Sequence, residues 1–320
     1  MTRDISVLGP LNIDLLIVGE GPKELSDLPS WDGPAEMTMT AAGSVGYTVG
    51  DLAKLGLGVR VVSNVPDDPL GLFIIDSLKR DGVDISGIQK IPDTEAGIGV
   101  YMLLFGSRKR PLVYRLPTHS AWPEEYSETA VNKLLDARIL HCGGLLHFKD
   151  LWCGVTTEIF REAKNRGITT TLDPQFPLFI MEPPWMRAMG DILPYVDILF
   201  CDETEARNIT DRESLPECAE MLLDSGPGTV IIKQGAEGAG IYMNGQGYFQ
   251  KAVHLGDLVD SIGAGDAFDA GFLYATLQDW PLEKRLLFSC VAAGFTVTGV
   301  GGTDTFPTIE EIESVMVKYS

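Results

Sequence analysis

At 320 residues the chain has room for two domains or for one large α/β domain with an insertion, and 45% hydrophobic against 22% charged residues allow a sizeable core and argue against global disorder. A formal net charge of -20 argues against a nucleic-acid or anionic-membrane surface, since both need clustered Lys and Arg. The five cysteines include no C-x-x-C pair, so neither a disulfide framework nor a structural zinc site is indicated and a reducing cytoplasm fits; no apolar run has the length of a membrane span or the form of a signal-peptide core.

In chain order, 5–8 reads as a first strand ended by Gly9-Pro10, and 13–18 as a second that carries Asp14. A carboxylate there is either a strand-end aspartate facing solvent or an acceptor for adjacent hydroxyls of a polyol. Residues 20–36 read as loop, followed by a short strand at 37–40. Ala42-Gly43-Ser44-Val45-Gly46-Tyr47 then leads into a helical stripe of Val49, Leu52, Ala53 and Leu55 closed by Gly56, and its small residues suit close approach of a ligand. Tyr47 reads equally as a ring-stacking platform and as ordinary helix packing. A strand at 59–65 and a helix through Lys79, left at Asp81-Gly82-Val83, follow.

Two β-prone runs, 98–105 and 112–116, flank Gly106-Ser107-Arg108-Lys109-Arg110 and predict a hairpin. A lone hairpin is marginal in water, so this one is expected to join 13–18 and 37–40 in a small sheet. Its three cations read as a solvated tip or as a grip on a phosphorylated sugar. Arg115 and His119 come next and could reach a substrate, though nothing in the sequence positions them.

From 137 onward strands (138–142, 168–172, 196–201, 229–233) alternate with helices (156–165, 184–193, 215–224). This alternation predicts a mainly parallel sheet covered by helices on both faces, with ligands beyond the carboxyl ends of its strands. Asp173, Asp202 and Glu205 fall just past such ends, where Asp202-Glu203-Thr204-Glu205 also reads as an acidic helix start. Lys233 to Gly238 turns into a hairpin of 239–243 and 247–253 through Asn244-Gly245. A strand-like region then ends at 256–259, a helix follows at 282–298, and Thr308 with Glu311 makes a capping box for the last helix.

The most specific stretch is Asp260-Ser261-Ile262-Gly263-Ala264-Gly265-Asp266. Ala267, Phe268, Gly271, Phe272 and Ala275 follow at helical spacing, which sets Gly263-Ala264-Gly265 at a helix start. First-turn N–H groups without partners bind anions, and the helix dipole is expected to keep Asp266 ionised and able to accept a proton at neutral pH. A base beside fixed N–H donors suits phosphoryl transfer. On spacing alone the stretch is also a tight turn with an aspartate favouring the helix start.

This stretch closely resembles the carboxy-terminal signature of the ribokinase-like (PfkB) carbohydrate kinases, D-[ST]-x-G-A-G-D followed by a helix and a glycine. The resemblance implies that Asp266 is the catalytic base and that Gly263, Ala264 and Gly265 form the anion hole for the γ-phosphate of ATP. It extends over nearly the whole chain. Residues 9–14 resemble the family's G-x-x-N-x-D element, implying that Asp14 holds sugar hydroxyls. Residues 42–56 resemble its G-G-x-x-x-N signature, which brings Gly43 and Ser44 to the substrate, but Ala42 replaces a glycine and Tyr47 stands where an asparagine usually reads the sugar. Asp202 to Glu205 resembles N-x-x-E with Asp202 in place of asparagine, implying that Glu205 helps hold Mg2+ and its waters. By the same similarity Lys233, Gly235 and Gly238 border the nucleotide phosphates, and Cys290 borders the adenine. Asp260, Ile262, Thr296, Gly299 and Gly301 would ring a monovalent cation such as K+. The implied architecture is one ribokinase-like domain over 1–320, with a β-sheet lid formed by roughly 13–40 and 97–118 that often pairs with a second subunit.

These implications describe a cytoplasmic ATP-dependent kinase of a sugar or sugar acid such as ribose, fructose or 2-keto-3-deoxygluconate. Tyr47 suggests a nucleoside kinase as the alternative, and Ala42 with Asp202 a catalytically silent sugar sensor. A dinucleotide-binding oxidoreductase is poorly supported, since no G-x-G-x-x-G follows the first strand; a Walker-type G-x-x-x-x-G-K-[ST] is also absent.

Overall fold

The computed structural model describes residues 2–22, 24–33, 35–104, 112–120, 122, 127–152, 154–243 and 246–319. The cationic run 106–110, the turn 244–245 and Cys153 lie outside the described residues. The strands are β1 (Arg3–Leu8), β2 (Asn12–Gly19), β3 (Ala35–Ala42), β4 (Val59–Pro66), β5 (Asp84–Ile91), β6 (Ile98–Leu103), β7 (Leu112–Arg115), β8 (Ala137–Gly143), β9 (Thr169–Asp173), β10 (Ile198–Asp202), β11 (Thr229–Lys233), β12 (Gly238–Met243) and β13 (Gln246–Lys251). The helices are α1 (Gly46–Lys54), α2 (Pro69–Arg80), α3 (Glu128–Leu134), α4 (Gly154–Asn165), α5 (Met186–Met189), α6 (Glu203–Thr210), α7 (Leu215–Asp224), α8 (Ala264–Leu277), α9 (Leu282–Thr296) and α10 (Ile309–Met316).

The larger sheet runs β13-β12-β11-β10-β9-β8-β1-β4-β5, parallel throughout except for the β12–β13 hairpin at one edge. Successive side chains of its strands enter opposite cores. Val7, Ile139, Phe200 and Ile231 pack against α1, α2, α8, α9 and α10, while their neighbours Leu8, Leu140, Leu199 and Val230 pack against α3 to α7. From β1 the chain winds outward through β4 and β5, then returns to β8 on β1's other side and winds the opposite way. The strand order therefore reverses between β1 and β8, and a crevice opens beyond their carboxyl ends.

The second sheet, β3-β2-β6-β7, stands at that crevice. The hairpin expected from 98–116 pairs Ile98 with Arg115, and β2 runs antiparallel to β3 and parallel to β6, as the need to cover a lone hairpin requires. Capping decides several helix starts: Asp68 accepts from the Gly71 N–H at α2, and reciprocal boxes form at Asp202/Glu205 and Thr308/Glu311.

Two expectations need correction, and two elements were missed. Residues 256–259 are not strand; the preceding strand ends at Lys251, and the Val259 and Asp260 amides bond to Val297 O. The helix expected over 184–193 shortens to α5 and a 3-10 turn at Leu193–Tyr195, because Pro194 cannot donate to a continuing helix. The polar strand β5 and the short helix α3 were not anticipated. Among the described residues no helix is long and apolar enough to cross a membrane.

Candidate active site

Gly263 caps α8 with φ 76, a left-handed conformation that costs glycine little, and an added Cβ would come within 3.1 Å of Gly302 Cα. The Ala264 N–H turns back to Ser261 O at 3.3 Å, while Gly265 and Asp266 follow in the first turn, where the helix supplies no acceptor for their N–H groups. Asp266 lines a cavity of about 470 Å3 between this helix start and the small sheet, shared with Asp14, Gly43 and Tyr47.

Asp14 is buried at the sheet junction, where its Oδ2 accepts from the Tyr47 hydroxyl at 2.9 Å, so the solvent-facing reading is excluded. Tyr47 is fixed by this bond and by packing so close to Gly302 that a Cβ there would meet its ring at 2.5 Å. Burial, then the neighbouring Asp14 charge, raises its pKa well above the usual phenol value, so it stays a donor. One residue on, Thr48 Oγ1 donates to Asp266 Oδ1 at 2.8 Å. Ser44 Oγ shares a 2.6 Å hydrogen bond with His147 Nδ1, and its carbonyl accepts from Gln175 Nε2 at 3.0 Å.

The helix dipole does not settle the charge on Asp266 as expected. Desolvation pushes its carboxyl up to about 7, against the lowering by Thr48 and then Lys233, because the wall of the cavity replaces the water that would solvate the anion.

Lys233, expected to border the nucleotide phosphates, is ion-paired beside the start of α8. Its Nζ lies 2.8 Å from Asp173 Oδ2 and 3.1 Å from Asp269 Oδ1, and within 3.5 Å of where a Gly265 side chain would begin. Burial disfavours the ammonium, but Asp173 and then Asp269 outweigh it and hold the pKa well above the ordinary lysine value. Asp173 is held low by Lys233 despite burial; Asp269 is pushed well up by burial, which Lys233 offsets only in part. Glu205 accepts from the Asp202 N–H at 2.8 Å, and burial, then Asp173 and Asp202, raises it to about 8.

Of the remaining expected residues Ile262 lines the cavity, and the others lie apart from its lining. Arg115 donates to Ala96 O at 2.9 Å, and His119 is buried against Ser120. Gly235 and Gly238 bracket the turn from β11 to β12, and Cys290 is buried in α9 among apolar side chains. Asp260 Oδ1 accepts from the Ile262 N–H at 3.0 Å, and Thr296 O accepts from Thr305 Oγ1 at 3.0 Å, which sets 260–262 and the loop containing Gly299 and Gly301 side by side at the end of α9.

Tyr101, Tyr114, His147 and Gln175 line the cavity without having been singled out. Asn12 and Ser261, inside the 9–14 and 260–266 motifs, also line it, and Thr48 and Asp269 carried a local signal as neighbours of Tyr47 and of the 260–266 motif.

The model of the pfkB family carbohydrate kinases matches residues 2–309. The 5-dehydro-2-deoxygluconokinase of Halalkalibacterium halodurans is 24% identical over 332 residues, covering 99% of this chain and 98% of that protein. Among solved structures, Arabidopsis thaliana ribokinase complexed with ribose and ATP superposes with a TM-score of 0.79 at 22% identity, covering 99% of both chains. A putative ribokinase II from E. coli in complex with ATP and Mg2+ gives 0.81 at 20% identity, again covering 99% of both.

Proposed function

The chain belongs to the pfkB family of carbohydrate kinases, and on that premise we propose that it transfers the γ-phosphate of ATP to a hydroxyl of a sugar or sugar acid bound in the cavity beside Asp266. The observation that carries this reading is the position of Asp266, on the cavity wall and in the first turn of α8, where a proton acceptor and backbone donors face one reacting centre. Asp266 takes the hydroxyl proton as the oxygen attacks phosphorus. The Gly263 to Gly265 segment receives the charge spread over the transferred group, with the Gly265 N–H directed along the helix axis and the Ala264 N–H exchanging its bond to Ser261 for phosphate. Asp14, held by Tyr47, accepts from the sugar's other hydroxyls, with Gly43 and Ser44 alongside.

Among the described residues no three ligating side chains are grouped to hold a metal directly, so a magnesium ion that neutralises charge on the phosphates would be held here through water, by Glu205 with Asp202 beside it. Under the same reading a monovalent cation such as K+ would be held by the 260–262 segment and the 296–301 loop. The small sheet acts as a lid on a single-domain enzyme, and its exposed Met37, Met39, Leu112 and Val113 offer a surface for a second copy. Free, buried Cys142, Cys201, Cys218 and Cys290 suit a cytoplasmic setting.

Asp266→Asn tests the assignment. It should lower kcat by roughly 10²- to 10⁴-fold, the usual contribution of a general base, while sugar and nucleotide still bind by calorimetry. A variant turning over at a near-normal rate removes Asp266 from this role.

A further inference from the structure

Resting on the kinase reading above, we infer that Gln175 is a specificity-determining residue of the acceptor site, which fixes the Gly43–Ser44 turn through its Nε2 and offers its Oε1 to a hydroxyl of the bound acceptor. Its backbone is the first reason. Among the described residues the non-glycine positions with positive φ are Asp93, Asp211, Asp279 and Gln175, the last at φ 55. Aspartate tolerates this region by local hydrogen bonding, whereas glutamine is rarely found in it. Glycine or asparagine would suit the backbone better, so what glutamine adds is the reach of its side chain.

The surroundings hold that conformation in place, as a strained residue requires. The Gln175 N–H donates to Asp173 Oδ1 at 3.2 Å, and Oδ2 of the same carboxylate holds Lys233 Nζ at 2.8 Å. Asp173 O and Pro174 O accept from the Gly144 and Leu146 N–H groups at 2.8 and 3.0 Å, which ties this turn after β9 to the loop after β8. The side chain then crosses to a third segment, where Nε2 donates to Ser44 O at 3.0 Å in the turn before α1. His147 grips the same serine at Oγ, so Ser44 is held at its main chain and its side chain from two loops. Gln175 is half-buried and lines the cavity with Gly43 and His147. With its donor end engaged, the amide presents an acceptor, and a hydroxyl entering the cavity brings the matching proton.

The test uses the full-length enzyme with ATP and Mg2+ and with ribose, fructose and 2-keto-3-deoxygluconate as acceptors, ADP formation giving kcat and KM. Gln175→Asn keeps the amide and favours the left-handed backbone, but is one methylene too short to serve both Ser44 and the cavity. Gln175→Gly removes the side chain and relieves the backbone. Both should raise KM for the best acceptor roughly tenfold, the effect of losing about one net hydrogen bond. KM for ATP and kcat should stay within about twofold, the pattern of lost uniform binding, and the urea midpoint should stay near that of the wild type. An acceptor KM that neither variant moves overturns the inference, as does a rise matched by KM for ATP or by a fall in the urea midpoint. If the wild type forms no ADP with any of the three, the kinase reading fails and calorimetry of the same compounds decides the inference. It stands if Gln175→Gly binds the tightest of them about tenfold more weakly than the wild type, and falls if the two proteins bind alike or neither binds.

Discussion

Thr48 and Asp266 lie 218 residues apart in sequence and 2.8 Å apart in space, the threonine hydroxyl donating to the carboxylate. A hydrogen bond to the ionised form favours that form, and Thr48 is the largest influence opposing the desolvation that holds Asp266 at about 7. A base works ionised, so kcat should rise with pH and level off above about 7. Thr48→Val keeps the volume and deletes the donor. Its rising limb should shift to higher pH, with kcat reduced several-fold near pH 6.5 and little changed near pH 9, whereas Thr48→Ser should retain the wild-type profile. A pH–kcat profile that Thr48→Val leaves in place would show that the bond does not act on the base.

Among the described residues Lys233 is the cation ion-paired with two carboxyl groups buried at 3% and 1% exposure, Asp173 and Asp269. Lys233→Met should therefore destabilise the fold by about 3–5 kcal/mol, the cost of breaking a buried pair on one side. Adding Asp173→Asn in that background should restore a substantial part of the loss, since the stranded charge is then gone. Urea midpoints of the single and double variants measure both; a double variant no better than the single would place the penalty elsewhere.

Asp51 is fully buried in α1, and desolvation raises its pKa well above the ordinary carboxylate value, Thr303 opposing it only in part. The folded protein keeps a proton that the unfolded chain releases above about pH 4. The stability this group contributes is thus fully present below that pH and is lost as pH rises toward the folded value. Asp51→Asn has no such proton, so its stability relative to wild type should grow by up to about 1.4 kcal/mol per pH unit across this window. Denaturant unfolding at pH 5 and pH 8 checks the sign. Parallel pH dependence in the two proteins would mean that Asp51 is ionised in the fold.

Much of this architecture was legible because short-range patterns dictate it. The helical spacing after Gly265 located α8, the Thr308/Glu311 pair located α10, and the strand–helix alternation gave the parallel sheet. β5 escaped because Asp-Ile-Ser-Gly-Ile-Gln-Lys-Ile is a half-exposed edge strand without an apolar signature; its pairing with β4 makes it a strand. α3 escaped because seven residues show little periodicity, and the Ser127 side chain, accepting from Ala130, marks its start. In the cavity, Asp14, Tyr47 and Asp266 were readable, while His147 and Gln175 reach it from loops after β8 and β9 that only the folded sheet brings together. The upward shift of the Asp266 carboxyl was not legible for the same reason: a helix start is local, whereas desolvation depends on the whole enclosure.

Adjacent residues of α1 grip opposite walls, Tyr47 holding Asp14 and Thr48 holding Asp266, while the Lys54 ammonium and the Thr303 hydroxyl tie the same helix to the loop after α9. A rigid rod clamped at both walls turns as one piece. A tilt of the smaller sheet at Asp14 is therefore coupled through this helix to the Asp266 carboxylate, without a dedicated relay.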